Sequence, residues 1–369
     1  MDDSIPLAHP VVDDEMVAEA SRVLREEFFL RGESVACFEA EFATYVATEH
    51  AVALDSGTRA LHLALEALGV GEGDRVLTTP ATFIATANAV RMAGAEPVFA
   101  DADPATYTLD PDEAGRVVDE RDDVAAVVTV HLYGYPADVD ALRDAVGDVP
   151  IVSDACQAHG ASIDGRRVGS LADIAAFSFY PSKNITVAGD GGMLTTDDDD
   201  VAARVRSLRD VGRDEASGRH ERLGYTARLN TVNAAIGRKQ LARLDEWNGR
   251  RRRIARTYGE RFEDLEGLTC PPSGGPEIDP AWYLYAVRTA DRDALQSHLA
   301  NAGVEAGVNY DLPVHLQAPY RNLPYERGDF PHAERWADEV LCLPVHQRLS
   351  DDDVERVAGA VEGFFEGSR

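Results

Sequence analysis

Lysine is nearly absent from this chain of 369 residues, in which Lys and Arg together number 36. Only Lys183 and Lys239 occur, so arginine carries almost all of the positive charge. Arginine cannot form a Schiff base with an aldehyde, whereas lysine can once its amine is neutral. Lys183 lies between an apolar run and a glycine-rich turn, in FSFYPSKNITVAGDGG. It is therefore a candidate catalytic amine, although a lysine at a strand end can also reach solvent or pair with an acid.

Cysteine and metal-binding patterns are scarce. The four cysteines, Cys37, Cys156, Cys270 and Cys342, are far apart and form no CxxC pair. This spacing argues against a zinc site and for reduced, mostly buried thiols. We therefore expect no metal.

Long hydrophobic runs are also missing. No apolar run approaches the roughly 20 residues that span a bilayer. The N-terminal sequence MDDSIPLAHP has neither the basic region nor the apolar core of a signal peptide. We expect a cytoplasmic protein without membrane attachment.

Basic residues are few relative to acidic ones. The chain has 36 basic and 65 acidic residues, so its formal net charge is -29. Such a field opposes binding to nucleic acid and to anionic membranes, so we expect neither as a partner. The acidic residues are spread along the chain, with runs at 197–200 and 351–353. Spread acidity with little lysine indicates a halophilic protein; the alternative is an ordinary acidic cytosolic one.

Short apolar runs alternate with helical patterns in the first two-thirds of the chain. Strand-like runs occur at 51–54, 75–79, 124–130 and 150–154, and IAAFSFY and GGMLTT follow them. This alternation predicts an α/β fold with a mostly parallel sheet that helices cover on both faces.

The last third of the chain has a different pattern. A long helical stretch at 233–262 leads to strand-like YLYAVRT, helical DALQSHLANAG, strand-like VEAGVNY and a final amphipathic helix. We predict a large domain with an N-terminal arm at 1–248 and a smaller C-terminal α+β domain at 249–369.

Three polar features follow predicted strands, at the edge where open α/β sheets build their sites. The Ser-Gly-Thr turn at 56–58 opens a helix and is either an anion site or a plain helix cap. Asp154 ends an apolar strand and needs a partner, which is either a protonated pyridine nitrogen or a hydrogen-bonded turn. Ser178, near Lys183, is either a phosphate ligand or a buried hydroxyl.

Taken together, these features are the set that holds pyridoxal 5'-phosphate. Phosphate donors anchor the cofactor, a carboxylate keeps its ring nitrogen protonated, and a lysine binds its aldehyde and later moves a proton. A dinucleotide site is excluded because no GxGxxG follows the first strand, and a P-loop because no GxxxxGK precedes Lys183.

Nearly the whole chain resembles the DegT/StrS family of pyridoxal phosphate-dependent sugar aminotransferases. The resemblance is carried by LDSGTRALHLALEALGVGEGDRVLTTPATFIATANAV, GAEPVFADAD, VHLYGYPADVD, SDACQAHGASIDGRRVGSLADIAAFSFYPSKN, GDGGMLTT, NYDLPVHLQAPY and LCLPVHQRLS. It implies the fold of type I pyridoxal phosphate enzymes, with a large and a small domain.

The resemblance implies a cofactor role for individual residues. Lys183 would bond to the cofactor aldehyde, Asp154 would pair with the pyridine nitrogen, and Gln157 would bond the ring hydroxyl. The implied cofactor-binding residues are Gly57, Thr58, Phe83, Asp154, Gln157, Ser178, Lys183 and Thr226. Phe83 would stack on the cofactor, unless it is an ordinary core phenylalanine.

The resemblance also implies a substrate role for Arg31, His159, Arg228, Tyr310 and His315. Tyr310 and His315 match the segment that approaches the sugar. Arg31 and Arg228 are candidates for phosphate or carboxylate contacts, or are plain ion pairs. His159 either lines the cofactor pocket or is a core histidine.

One position departs from the family pattern. Members commonly carry an asparagine in a GYNxR-like segment that reaches the cofactor phosphate of the neighbouring subunit. This chain has GYTARLNTVN, with Thr226 at that position, and Asn230 or Asn233 could substitute. Family dehydratases carry histidine in place of the lysine, so Lys183 excludes that branch.

The implied function is amino transfer from L-glutamate to a keto group of a nucleotide-linked sugar, by a homodimer. Two alternatives stay open. One is a pyridoxal phosphate-dependent lyase or desulfurase, for which Cys156 is a nearby thiol. The other is a non-catalytic, pyridoxal phosphate-binding regulatory protein.

The charge of -29 predicts that stability depends on salt. Crowded carboxylates repel one another at low ionic strength, and dissolved ions screen this repulsion. We expect a lower melting temperature in dilute buffer than in molar potassium chloride. Sucrose, which favours compact states without screening charge, is the control. A melting temperature that is the same with and without salt would contradict the halophilic interpretation.

Overall fold

The computed structural model describes residues 4–367. The helices are α1 Asp14–Glu26, α2 Glu33–Val46, α3 Gly57–Ala67, α4 Ile84–Met92, α5 Pro111–Asp119, α6 Val139–Val146, α7 Asp199–Arg209, α8 Thr231–Leu241, α9 Leu244–Phe262, α10 Arg292–Asn301, α11 Pro331–Glu339 and α12 Asp351–Gly367. The strands are β1 His50–Leu54, β2 Arg75–Thr78, β3 Glu96–Phe99, β4 Val124–Val130, β5 Ile151–Asp154, β6 Ser162–Ile163, β7 Arg166–Arg167, β8 Ile174–Ser178, β9 Gly192–Thr196, β10 Ile278–Asp279, β11 Tyr285–Arg288 and β12 Val340–Leu343.

A seven-stranded sheet forms the centre of the chain, in the order β1-β9-β8-β5-β4-β2-β3. Strands β8, β5, β4, β2 and β3 pair in parallel, and β9 is antiparallel to both of its neighbours. Because β9 reverses direction, β1 runs the same way as β8. The carboxyl ends of six strands therefore lie along one edge, as the sequence predicted for a mostly parallel sheet.

Both faces of this sheet are buried, because alternate residues along each strand enter different cores. Val127 packs in a core with the aromatic side chains of α2, and its neighbours Ala126 and Val128 pack in a second core with α3. Burial on both faces explains why β4 reads as the continuous apolar run VAAVVTV instead of an alternating one.

The C-terminal part has its own core and a two-stranded antiparallel sheet of β11 and β12. The sequence predicted a strand at VEAGVNY, but this segment forms only isolated bridges, which join Ile5 to Val304 and Gly307 to Cys342. The apolar run VLCL, buried at all four positions, forms the strand β12 beside β11. Ile5 belongs to this third core, so the N-terminal segment packs on the C-terminal part of the chain.

The predicted boundary at 248/249 falls inside α9. The first part of this helix places Leu244 and Trp247 in the first core, and its later part places Ile254 and Phe262 in the third core. The helical stretch at 233–262 is divided into α8 and α9 at residues 242–243. The boundary itself stays a prediction.

Within residues 4–367, no helix combines the length and the apolar character needed to cross a membrane. In the same part of the chain, no group of three or more His, Cys, Asp or Glu side chains is arranged to hold a metal ion.

Packing of α8 against α2 predicts the effect of adding a methyl group at Gly237. A Cβ there would lie 2.7 Å from Cζ of Phe38, whose ring is fully buried. We expect Gly237→Ala to lower the free energy of unfolding by about 1–3 kcal/mol through overpacking. Chemical denaturation measures this change.

Gly359→Ala is the matched control. Gly359 is an exposed glycine of α12 with no atom within 4 Å of the added Cβ. There the better helix propensity of alanine should raise stability by up to about 1 kcal/mol. If Gly237→Ala stabilised the protein as Gly359→Ala does, this account of the α2–α8 contact would be wrong.

Candidate active site

The carboxyl edge of the sheet brings the predicted cofactor residues to one place. The 56–58 turn follows β1, Asp154 is the last residue of β5, and Ser178 is the last residue of β8. The thiol of Cys156 lies within the electrostatic influence of both Asp154 and Lys183. The Asp154 carboxylate and the Lys183 amine, which are distant in sequence, therefore both lie near the Cys156 thiol.

Asp154 is a buried carboxylate that two groups hold in position. Thr86 Oγ1 donates to Asp154 Oδ2 at 2.8 Å, and the backbone N–H of Cys156 donates to Oδ1 at 3.2 Å. Thr82 in turn bonds the Thr86 hydroxyl at 2.9 Å. Thr86 lies in α4, and no local pattern in the sequence connects it with β5, so its contact with Asp154 was not predicted.

Lys183 lies against an aromatic ring from the other end of the chain. Its Nζ is 4.2 Å from the centre of the Tyr283 ring, and the Tyr283 hydroxyl is 2.9 Å from Ser182 Oγ. Such a ring face attracts a cationic amine. Tyr283 and Ser182 were also missed, and the aromatic run AWYLY was the signal available for Tyr283.

The 56–58 turn forms a cradle that a side chain would fill. A Cβ on Gly57 would lie 2.6 Å from Ser178 Cβ and 2.7 Å from Cys156 Sγ. Ser56 caps α3 by accepting a hydrogen bond from the Arg59 N–H at 3.2 Å. The free N–H groups of the first helical turn, together with the hydroxyls of Thr58 and Ser178, are the donors that a phosphate needs. The residues present therefore fit the phosphate of the expected cofactor.

Gln157, Tyr310 and Phe83 form a connected group. The Tyr133 N–H donates to Gln157 Oε1 at 2.7 Å, which directs the amide nitrogen of Gln157 to the Tyr310 hydroxyl at 3.2 Å. The Phe83 and Tyr310 rings stack with centres 5.3 Å apart. Phe83 is 48% exposed, so it is not an ordinary core residue and presents a free aromatic face.

Two predicted substrate residues lie in the interior instead. His159 has no exposed surface and packs between Phe177 and Phe179, and burial lowers its pKa to about 3. His315 is buried, and its Nε2 lies 3.2 Å from Glu334 Oε1. Neither imidazole faces an open surface, so the geometry does not support a direct substrate contact.

Arg31 and Arg228 both line a cavity of about 300 Å³. Both form ion pairs with Asp210, and the Arg228 guanidinium lies 2.6 Å from Asp210 Oδ1. The cavity is lined by five arginines and three acids, Arg31, Arg206, Arg209, Arg213, Arg228, Glu39, Asp210 and Glu215. The arginines give it excess positive charge in a chain whose net charge is -29.

Thr226 is exposed, and its segment lies beside the start of the phosphate cradle, because the Asp55 N–H donates to the Ala227 carbonyl at 3.1 Å. The two alternative residues, Asn230 and Asn233, each form a hydrogen bond within the chain. Asn230 Oδ1 caps α8 at the Asn233 N–H, 2.9 Å away, and Asn233 Nδ2 donates to the Asp190 carbonyl at 3.3 Å.

Cys156 is a half-buried residue whose thiol shows no sign of activation. Burial raises its pKa well above the usual range, and the nearby Asp154 carboxylate adds to this effect. Its Sγ donates weakly to the Ala176 carbonyl at 3.6 Å. A thiol held in its neutral form is a poor nucleophile.

The chain as a whole matches a family of known proteins. Residues 10–362 match the model of the DegT/DnrJ/EryC1/StrS aminotransferase family. The erythromycin biosynthesis sensory transduction protein EryC1 of Saccharopolyspora erythraea is 43% identical, over 92% of this chain and 93% of that protein. The dTDP-3-amino-3,4,6-trideoxy-alpha-D-glucose transaminase of Streptomyces venezuelae is 42% identical, over 95% of this chain and 92% of that protein.

A solved structure agrees with these matches. S. venezuelae DesV in complex with a ketimine intermediate superimposes with a TM-score of 0.93 and 41% identity, covering 98% of this chain and 99% of that one. The predictions of the α/β fold, of an aminotransferase and of pyridoxal phosphate as cofactor are confirmed, and the roles of individual residues stay predictions. The chain belongs to the DegT/DnrJ/EryC1/StrS aminotransferase family.

Proposed function

We propose that this protein uses pyridoxal phosphate to transfer the amino group of L-glutamate to a keto carbon of a nucleotide-linked sugar. The observation that carries the proposal is the meeting of Lys183, Asp154 and the Gly57 cradle at one edge of the sheet. The transaminase name of the S. venezuelae relative supports a dTDP-linked sugar as the type of acceptor.

Each part of the site has a distinct task in this reaction. When bound, the cofactor supplies an electron sink for the carbon that carries the amino group. Asp154, fixed by Thr86, holds a proton on the ring nitrogen, and Lys183 Nζ moves a proton at the reacting carbon. Gln157 bonds the ring hydroxyl, and Phe83 covers one ring face. Gly57, Thr58 and Ser178 bind the phosphate.

The substrate is best accommodated by the aromatic group and the arginine cavity. Tyr310 stacks on Phe83 at the cofactor position and offers a flat face to a sugar ring. Arg31 and Arg228 lie in the cavity with excess positive charge. A diphosphate needs such local charge to overcome the repulsion of a net-acidic protein.

A homodimer is proposed for the active unit. Phe28, Phe29, Tyr180 and Leu223 are large apolar side chains that the single chain leaves exposed, as expected for an interface. Thr226 is exposed, whereas Asn230 and Asn233 have local partners, which favours Thr226 for the cross-subunit phosphate contact. The four unpaired cysteines support a reducing compartment, the cytoplasm.

The two alternatives receive different support. A desulfurase would require a reactive thiolate, and burial keeps Cys156 neutral. A regulatory protein is favoured by one observation, the sensory transduction name of the S. erythraea relative. Glutamate turnover separates this alternative from the aminotransferase.

A half-reaction with L-glutamate alone tests the proposal. We expect L-glutamate to abolish the absorbance band of the lysine-bound cofactor and to yield one equivalent of 2-oxoglutarate per site. Cysteine is the control, because a desulfurase would convert it to alanine and transfer its sulfur to a thiol as a persulfide. A band that responds to neither amino acid would favour the regulatory protein.

The same assay separates donor from acceptor binding. Tyr310→Ala should slow the second half-reaction, with a dTDP-linked keto-sugar, by about two- to tenfold more than the first, because an aromatic contact contributes about 0.5–1.5 kcal/mol. Equal slowing of both half-reactions would contradict a sugar-binding role for Tyr310.

Asp154→Asn tests the electrostatic role of the carboxylate. The amide keeps the shape of the side chain but cannot stabilise a protonated ring nitrogen by charge. We expect turnover to fall by about 10- to 100-fold, the equivalent of a charge-assisted hydrogen bond of about 1.5–3 kcal/mol. Asp199→Asn, which removes an exposed carboxylate, is the control. Normal turnover by Asp154→Asn, with an unchanged melting temperature, would refute the role.

A further inference from the structure

Arg251 is a buried guanidinium whose Nε has no hydrogen-bond partner, and within residues 4–367 no carboxylate forms an ion pair with it. It lies on α9, and Nη1 donates to the carbonyls of Trp282 at 3.0 Å and Tyr283 at 3.3 Å. Nη2 donates to Gln347 Oε1 at 2.9 Å. Burial lowers the Arg251 pKa to about 10, so the group is still charged at neutral pH. Burying a charged group against neutral acceptors alone costs free energy. The acceptors of Arg251 lie mainly in one backbone segment, at Trp282 and Tyr283.

That segment has a strained backbone. Trp282 has φ of 50°, in the left-handed region that a bulky residue rarely adopts. Such a conformation costs about 1–3 kcal/mol and persists only where the surroundings impose it. Asn184 Nδ2 donates to the Ala281 carbonyl at 2.7 Å, and the Tyr283 N–H donates to the Tyr133 carbonyl at 2.9 Å. Arg251 supplies the bonds to the two carbonyls that follow Ala281.

The strained turn determines where the Tyr283 ring lies. Its hydroxyl bonds Ser182, the residue before Lys183, at 2.9 Å, and its ring centre is 4.2 Å from Lys183 Nζ. A continuous series of contacts therefore runs from the Arg251 guanidinium, through the backbone at 282–283, to the amine.

We propose that Arg251 is a positioning residue for Lys183. By binding the carbonyls of Trp282 and Tyr283, it fixes the aromatic ring that holds the Lys183 amine in line for the cofactor aldehyde. This inference rests on the proposed function of Lys183 as the cofactor lysine.

The geometry requires a guanidinium and not merely a positive charge. The planar fork of Arg251 serves three oxygens at once, on Trp282, Tyr283 and Gln347. A lysine ammonium is a point charge that cannot reproduce the fork. Arg251→Lys therefore keeps the charge and removes the geometry, and Arg253→Lys, on the exposed side of the same helix, is the matched control.

The test measures the formation of the bond to the cofactor and does not depend on turnover. Full-length apo-protein is mixed with pyridoxal phosphate, reduced with borohydride at timed intervals, and digested for mass analysis. Lys239, paired with Glu15 at 2.6 Å on the surface, is the internal reference, because the chain has only two lysines. The visible circular dichroism of the bound cofactor reports its orientation.

We expect Arg251→Lys to slow labelling of Lys183 by about 10- to 100-fold, as for a displaced reacting group. Its visible dichroism should change, and Arg253→Lys should label at the wild-type rate. Tyr283→Leu should slow labelling to a similar extent. The double variant should be no slower than either single variant, because both changes interrupt one series of contacts.

Three outcomes of these labelling experiments would contradict the inference, and a fourth would contradict the proposed function. Wild-type labelling rates in Arg251→Lys, or additive effects in the double variant, would overturn the inference. Unchanged labelling in Tyr283→Leu would also overturn it, even if Arg251→Lys failed to fold. If the wild-type protein itself were not labelled at Lys183, the proposed function would fail instead.

Discussion

The close approach of Gly57 to Ser178 and Cys156 is the contact on which the candidate site depends. The ends of β1 and β8 are separated in the sheet by β9, and at Gly192 of β9 a Cβ would lie only 2.3 Å from the Ser56 carbonyl oxygen. Two glycines therefore allow the 56–58 turn to lie across the strand ends. Without them, a side chain would fill the space where the free N–H groups of α3 meet the serine hydroxyl.

The part of the chain that follows α9 also contributes to the candidate site. Tyr283 reaches Lys183, and Tyr310 reaches Gln157 and Phe83, so two residues from beyond α9 contact groups that precede it in the sequence. Arg251 lies on the helix that joins the two cores and bonds the turn that carries Tyr283. The amine thus depends on contacts from both parts of the chain.

Charge is distributed unevenly over the molecule. The chain carries a net charge of -29, yet five arginines line one cavity and one of its two lysines lies at the candidate site. Guanidinium groups form ion pairs such as that of Arg228 with Asp210, whereas an amine, unlike a guanidinium, can lose its proton and react. Arginine therefore forms most of the ion pairs, and a lysine, Lys183, occupies the position where the proposed function requires an amine that can become neutral.

The sequence by itself determined the alternation of strands and helices, the 56–58 turn, Asp154 at a strand end and Lys183 before a glycine-rich turn. These features are local, because apolar periodicity and residue type act within a few positions of the chain. Only the tertiary structure decided that Thr86 fixes Asp154 and that Tyr283 faces Lys183. It also left VEAGVNY with isolated bridges in place of the predicted strand, and it buried His159 and His315. Packing made these choices between segments distant in sequence, and such contacts leave no periodic signal in either segment.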